Sequence, residues 1–320
     1  MPDGRRTEDK AFGSDASAVP GGSLAIDSNH FEFVAAGSTA SQLGLVLRSA
    51  GGVPGGDRNM TRNDVLVERN GPVTTVIINR PEARNACRVE TVKALHDAFR
   101  AFEVDDAARV AVLTGAGGSF CAGADLKELA SGAAIGFCWA GEDKGVTRRS
   151  LAKPVIAAVE GHAVAAGLAL AVWCDLRVAD ETAVFGVFCR RYGGPMPNGC
   201  TVRLPRLIGQ SRALDMMLTG RAVDAREAHA MGLANRLVKK GEARREAERL
   251  ALELASLPQV AMLSDRASLM GQWDFPEDEA IRREIAGSAP AMQQGFQSGA
   301  QRFVSGTGRH GEAVGRPHSR

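Results

Sequence analysis

The segment from Lys153 to Asp180, KPVIAAVEGHAVAAGLALAVWCDLRVAD, constrains what this chain can fold into more than any other. Pro154 opens a short apolar run, Val155 to Val159, that reads as a strand, and Gly161 and His162 interrupt it. Small residues from about Ala165 onward read as a buried helix, and Leu176 to Val178 as a second strand. The unit is therefore strand, turn, helix, strand. A helix starting near Ala165 leaves its first backbone N–H groups without intrahelical partners, where the helix dipole also concentrates partial positive charge. Two readings follow. Such an end can hold an anion or a developing oxyanion, or the Ala and Gly residues serve only to bring a helix close to a sheet.

The same alternation continues on both sides. Val73 to Asn79 is a β-branched strand after the turn Asn70-Gly71-Pro72, and Arg80 to Ala86 is a loop. Val89, Val92, Leu95, Phe99 and Phe102 recur at helical spacing. Val110 to Thr114 is another strand, Gly115 to Gly118 a turn, and Phe120 to Leu129 enters a short helix. Gly132 to Ser150 reads as a helical connection over the site, and Phe185 to Cys200 as loop-rich. Ser211 is the expected cap of a helix over Ala213 to Leu218, and Asp224 the cap of one over Ala225 to Met231 that Gly232 ends. Ala234 to Val238 is a last strand, and helices dominate from Glu242, with Leu250, Leu254 and Leu257 on one face. Strands alternating with helices predict an α/β core followed by an all-helical part.

Residues 1–59 are rich in Gly, Ser and Ala, with one short apolar run, Leu43 to Leu47, so they are expected to be a disordered extension ahead of a natural beginning at Met60. The expected organisation is 60–256 as the core, 257–307 as a C-terminal helical region and 308–320 as a flexible polar tail.

Composition excludes several function classes. A net charge of +2 with both signs abundant asks for neither nucleic acid nor an anionic membrane surface. The apolar run Ala163 to Cys174 is too short to span a bilayer, and Arg5-Arg6 is followed by polar residues rather than an export signal. The six cysteines have no CxxC spacing, which fits reduced thiols in a cytoplasmic protein rather than a disulfide frame or a zinc site. The turn GAGGSFCAG lacks the third glycine of a dinucleotide fingerprint, because Phe120 stands there; GxxxxGK[ST] and GxSxG are missing and the six His are scattered. A nucleotide-dependent oxidoreductase and a serine hydrolase are thereby disfavoured, and no metal site is expected.

What remains is a pair of small-residue strand-to-helix turns, Phe120 to Asp125 and Gly161 to Gly167. Two helix starts facing each other make a two-donor hole for one oxygen without using a side chain. NRPEARNA (Asn79 to Ala86), FCAGADLKEL (Phe120 to Leu129), KPVIAAVEGHAVAAGLALA with CDLRVAD, and LPRLIGQSRALDMMLTGR with AHAMGLANRLV resemble the crotonase superfamily, the enoyl-CoA hydratase/isomerase family, from about Thr61 to Thr307. The resemblance implies a spiral of ββα units with a helical C-terminal trimerisation region, a homotrimer or hexamer, and acyl-CoA thioester substrates. No separate cofactor is implied, only the coenzyme A of the substrate.

By position, the resemblance puts the oxyanion-hole amides on Ala124 and Ala166, the latter in a turn that reads Ala165-Ala166-Gly167 where the family has three glycines. It puts coenzyme A against Ala83, Arg84 and Ala86, with Ala122, Asp125, Leu126 and Lys127 along the same channel. Lys127 is a candidate phosphate contact or a solvated surface lysine. The pattern then fails at the chemistry. The two family glutamates fall on Ala169 and Cys189, neither of which replaces a positioned carboxylate, and Pro197 has no N–H where the family has Gly. Asn198 is a candidate water or substrate contact that cannot act as a base at neutral pH. Glu128, Glu142 and Asp143 read as exposed helix or loop residues, Glu160 and His162 as structural, and Cys189 as an inert thiol unless a neighbour such as Arg190 or Arg191 activates it. The expectation is an acyl-CoA enzyme with weak hydratase activity or another enolate chemistry; the rival is a non-catalytic acyl-CoA-binding protein of the same fold.

Overall fold

The computed structural model describes residues 63–132, 145–148 and 150–306. The expected N-terminal extension, the start at Met60, most of the connection between Gly132 and Ser150 and the C-terminal tail lie outside the described residues.

Two described sheets organise the core. The larger runs in the order β1 (Val65–Asn70), β2 (Val73–Ile78), β3 (Val110–Gly115), β4 (Val155–Val159), β6 (Leu176–Asp180) and β9 (Arg236–Val238). β1 and β2 form an antiparallel hairpin, and every later neighbour in this sheet is parallel. The smaller holds β5 (His162–Val164), β7 (Val184–Gly186) and β8 (Ala222–Asp224).

The strand periodicity decides what lies on each face. Val73, Val110, Val112, Ile156, Ala158 and Val178 pack with the buried face of α7 (Ala243–Ser256), which is mostly alanine. Their alternate neighbours Val76, Ile78, Ala111, Leu113, Ala157 and Val159 face the other way, onto α1 (Val89–Val104) and α3 (Ala166–Trp173). A strand buried on both faces reads as a continuous apolar run, which is why β2, β3 and β4 were legible from sequence. All eight residues of α3 are buried, as a helix apolar on every side must be. Arg177, 1% exposed, donates to the carbonyl of Cys174 (2.8 Å), a group left open where α3 ends, and to that of Leu233 (2.6 Å) in the loop before β9.

The central segment departs from the expected strand, turn, helix, strand order. Gly161, at φ 55°, reverses the chain, and His162 to Val164 pair with β7 before α3 begins. Ser211 does not cap a helix. α5 (Gln210–Thr219) starts one residue before it, because Gly209 both ends α4 (Cys200–Ile208) and opens α5. Asp224 caps α6 (Ala225–Ala230) as expected, its carboxylate accepting from Glu227 N. The stretch from Phe185 to Cys200 contributes the end of β7 and a tight 3-10 turn, Phe188–Tyr192, before its irregular part.

After α7, helices α8 (Gln259–Gly271), α9 (Glu277–Ala291) and α10 (Gln297–Val304) contain no fully buried residue. They hold to the core through Arg266, which pairs with Asp175 (2.9 Å) while Asp175 accepts from Val155 N. They leave Leu269, Trp273, Ile285, Met292, Phe296 and Phe303 exposed.

Candidate functional site

The site is built where three loops lock together. In the first, Asn85 is buried; its Nδ2 donates to the carbonyls of Ala116 (2.8 Å) and Ser119 (2.5 Å), and its Oδ1 accepts from Arg80 N (2.8 Å). Arg84 and Asn85 stand at φ 49° and 56°, a tight left-handed bend that the carboxamide holds closed. The second loop, FCAGAD, is stitched to the first by Ala122 N to Arg84 O (3.0 Å), Cys87 N to Gly123 O (2.7 Å) and Asp125 N to Cys87 O (2.8 Å). It is stitched to the third by Cys121 N to His162 O (2.7 Å) and Val164 N to Cys121 O (3.1 Å).

Glycine is required where these loops touch. A side-chain carbon on Gly167 would fall 2.0 Å from Cys121 O, and one on Gly123 would fall 3.2 Å from Ala166 N. The FCAG turn and the start of α3 are thus in direct contact. The strain of the second turn falls on Ala165, at φ 51° and ψ −123°, and not on Ala166, which is already helical. The extra methyl of this turn therefore bears on its backbone through residue 165.

Ala124 and Ala166 border one cavity of about 260 Å³. Among the described residues, neither backbone N–H donates to an acceptor in the turns and loops around it, and the first N–H groups of a helix have none within it. Ala122 and Leu126 line the same space, as do Phe188, Cys189, Tyr192, Met196, Pro197 and Asn198. Of the sequence candidates, the structure thus brings together Ala122, Ala124, Leu126, Ala166, Cys189 and Asn198. Ala169 is fully buried in the core and does not line the cavity. Ala83, Arg84, Ala86, Asp125 and Lys127 also lie off its wall.

Asp125 has a structural task. It receives Lys127 N as the N-cap of the short helix α2 (Leu126–Ala130) and pairs with Arg80 at 2.9 Å. Burial pushes its carboxyl up, but the Arg80 hydrogen bond and the cap outweigh burial and hold it below the usual range. Glu128 accepts from Val89 N (3.1 Å) and so caps α1, and Lys127 is exposed. The backbone carbonyls of Glu160 and His162 accept from Phe120 N and Cys121 N, and neither residue lines the cavity. Glu142 and Asp143 lie outside the described residues.

Cys189 meets the Met196 thioether, Sγ to Sδ 3.3 Å. Burial pushes its thiol up, and Arg190 only partly opposes this, so the activation considered from the sequence is not achieved. Asn198 is 3% exposed, and its Oδ1 has no hydrogen-bond partner. Sequence reasoning missed Asn85, whose signal was an Asn ready to take the left-handed bend inside NRPEARNA. It also missed Leu129, Phe188 and Met196, which periodicity cannot assign to a cavity. Among the described residues no His, Cys, Asp or Glu cluster is placed to hold a metal, and no helix is long and apolar enough to cross a membrane.

Comparison with known proteins agrees with this architecture. The family profile described as Enoyl-CoA hydratase/isomerase matches residues 68–307. The enoyl-CoA hydratase EchA19 of Mycobacterium tuberculosis is 38% identical over 226 residues, covering 68% of this chain and 85% of that protein. The crotonyl-CoA hydratase of Syntrophomonas wolfei is 34% identical over 240 residues, covering 73% of this chain and 92% of its own. A crystal structure of an enoyl-CoA hydratase from Mycobacterium tuberculosis superposes with a TM-score of 0.71 at 34% identity, covering 76% of this chain and 96% of that one. With its sheet order, its paired turns and these similarities, the chain belongs to the enoyl-CoA hydratase/isomerase family of the crotonase superfamily.

Proposed function

We propose that this enoyl-CoA hydratase-like enzyme seats the carbonyl oxygen of an acyl-CoA thioester between the backbone N–H groups of Ala124 and Ala166, and that its native reaction is an enolate chemistry other than efficient hydration. The observation that carries the reading is that two amides from separate loops, neither with an acceptor in the surrounding turns, border one cavity. Charge that develops on a thioester oxygen is stabilised there by preorganised donors in a site of low polarity. Coenzyme A would lie along Ala83, Arg84 and Ala86, with Lys127 at the exposed end for a phosphate.

Hydration also needs a general base and a general acid around one water, each contributing about 10²–10⁴ in rate. The cavity lining offers the polar side chains of Cys189, Tyr192 and Asn198 for that work, and none of these is a carboxylate. Ala169, standing at the other glutamate position, is sealed in the core. The expected behaviour is tight use of the oxyanion hole with little hydration. The assay is loss of the enoyl thioester absorbance of crotonyl-CoA near neutral pH. Turnover at the rate of an ordinary hydratase would overturn the claim that these replacements disable hydration. Failure of any acyl-CoA to bind would overturn the oxyanion hole itself.

The exposed apolar residues of α8 to α10 support assembly as a trimer or a dimer of trimers, since a solitary subunit would leave Trp273, Phe296 and Phe303 in water. Sedimentation equilibrium tests this, and a monomer at micromolar concentration would refute it.

A further inference from the structure

We infer that the acyl site of this chain takes an apolar chain longer than a butyryl group, and that Leu129 and Tyr192 are the residues that set this preference: the chain leaves the cavity past these two side chains and covers the apolar surface they expose. The inference rests on the acyl-CoA reading of the cavity and deepens it by naming the class of acyl group.

Three observations carry it. The first is the chemistry of the lining. Ala124 and Ala166 border the cavity at the carbonyl, and Ala122 and Leu126 belong to the proposed coenzyme channel, so the rest of the lining is left for the acyl group. Leu129, Phe188, Tyr192, Pro195, Met196 and Pro197 supply most of that remainder, and no lysine, arginine, histidine, aspartate or glutamate stands among the described lining residues. A methylene chain gains most from such a surface.

The second is that part of this lining has no room to give. Met196 is 6% and Asn198 3% exposed. The Phe188 ring is pinned: the Arg191 guanidinium lies over it, 4.1 Å from the ring centre, while Arg191 Nη2 donates to Gly220 O (3.2 Å). The ring also packs so close to Gly186 that a side-chain carbon there would fall 2.4 Å from it. A longer chain therefore extends toward the part of the lining that is open.

The third is where that open part lies. Leu129 is 44% and Tyr192 75% exposed, and both border the same cavity. They come from separate elements, α2 and the 3-10 turn Phe188–Tyr192, and α2 has no buried residue, so Leu129 is not spent on the core. Apolar side chains exposed singly are ordinary, but two that continue an apolar ligand cavity extend it outward. A short acyl group leaves them in water. Each methylene buried strengthens binding about fourfold, so the four extra methylenes of an octanoyl chain, even half covered, give at least about tenfold.

The test is calorimetric titration of the full chain with free coenzyme A, butyryl-CoA and octanoyl-CoA; both thioesters are saturated, so no hydration accompanies binding. The expected result is octanoyl-CoA binding at least about tenfold tighter than butyryl-CoA, with the ratio falling below about threefold in the double variant Leu129→Ser, Tyr192→Ser. A partial loss of folded protein weakens both ligands alike and leaves the ratio unchanged. Butyryl-CoA binding tighter than free coenzyme A, with octanoyl-CoA no tighter than butyryl-CoA, overturns the preference and leaves the acyl-CoA reading intact. A ratio retained in the double variant overturns the assignment to Leu129 and Tyr192. If neither thioester binds tighter than free coenzyme A, the acyl-CoA reading falls and this inference with it.

Discussion

Gly123 lies against Ala165: a side-chain carbon on the glycine would stand 2.9 Å from the alanine methyl. The two turns that supply the candidate oxyanion donors therefore share one volume, and the methyl on residue 165 uses all of it. Ala165 carries this at a backbone conformation that L-residues rarely adopt.

Ala165→Gly is expected to stabilise the protein. Relief of the positive φ contributes about 1–3 kcal/mol, and the greater freedom of glycine in the unfolded chain removes roughly 0.5–1 kcal/mol, leaving a net gain of about 1 kcal/mol. Gly123→Ala moves the other way by about 1–3 kcal/mol, because the added methyl meets Ala165 at φ 102°. Urea midpoints measure both, and a lower midpoint for Ala165→Gly would show that the turn is not strained.

Asn85→Ala removes the brace of the first loop and leaves Ala116 O, Ser119 O and Arg80 N without their partner. At about 1–3 kcal/mol for the buried Ser119 carbonyl and about 0.5–1.5 kcal/mol for each of the two partly buried bonds, a loss of at least about 2 kcal/mol is expected. Arg84→Ala should change stability by no more than about 0.5 kcal/mol, since its exposed side chain is spare while its backbone carbonyl holds Ala122 N. Equal effects from the two substitutions would refute the division of labour.

Cys189→Glu puts a carboxylate on the cavity wall. Crotonyl-CoA hydration should rise by about 10²-fold, the lower end for one acid–base group, because Ala169 still offers no second. An unchanged rate would mean that residue 189 does not face the reacting carbons.

Alkylation of Cys189 by iodoacetamide reports its protonation. The ordinary thiol value is 9.0; burial raises it and Arg190 only partly lowers it back. A raised value makes the thiolate scarcer at any given pH, so labelling should be slower than for an exposed cysteine at pH 8 and still climbing above pH 9. Peptide mapping separates it from the other cysteines, and a plateau below pH 9 would contradict the shift.

Much of the fold was legible because burial on both faces of a parallel sheet writes itself as apolar runs. Val155–Val159 is such a run, and α3 reads as a wholly buried helix from its small residues alone. The sequence by itself also determined that two small-residue turns precede helices and that no carboxylate stands at residues 169 and 189. Only the tertiary structure decided which of those residues meet. Ala124 and Ala166 are brought to one cavity by hydrogen bonds between segments far apart in the chain, while Ala169, three positions from Ala166 on the same helix, is sealed inside. Likewise β5 and the strain on Ala165 depend on partners, Gly186 and Gly123, that no local window contains. Periodicity encodes how much of a residue is buried; which neighbour buries it is fixed by long-range pairing.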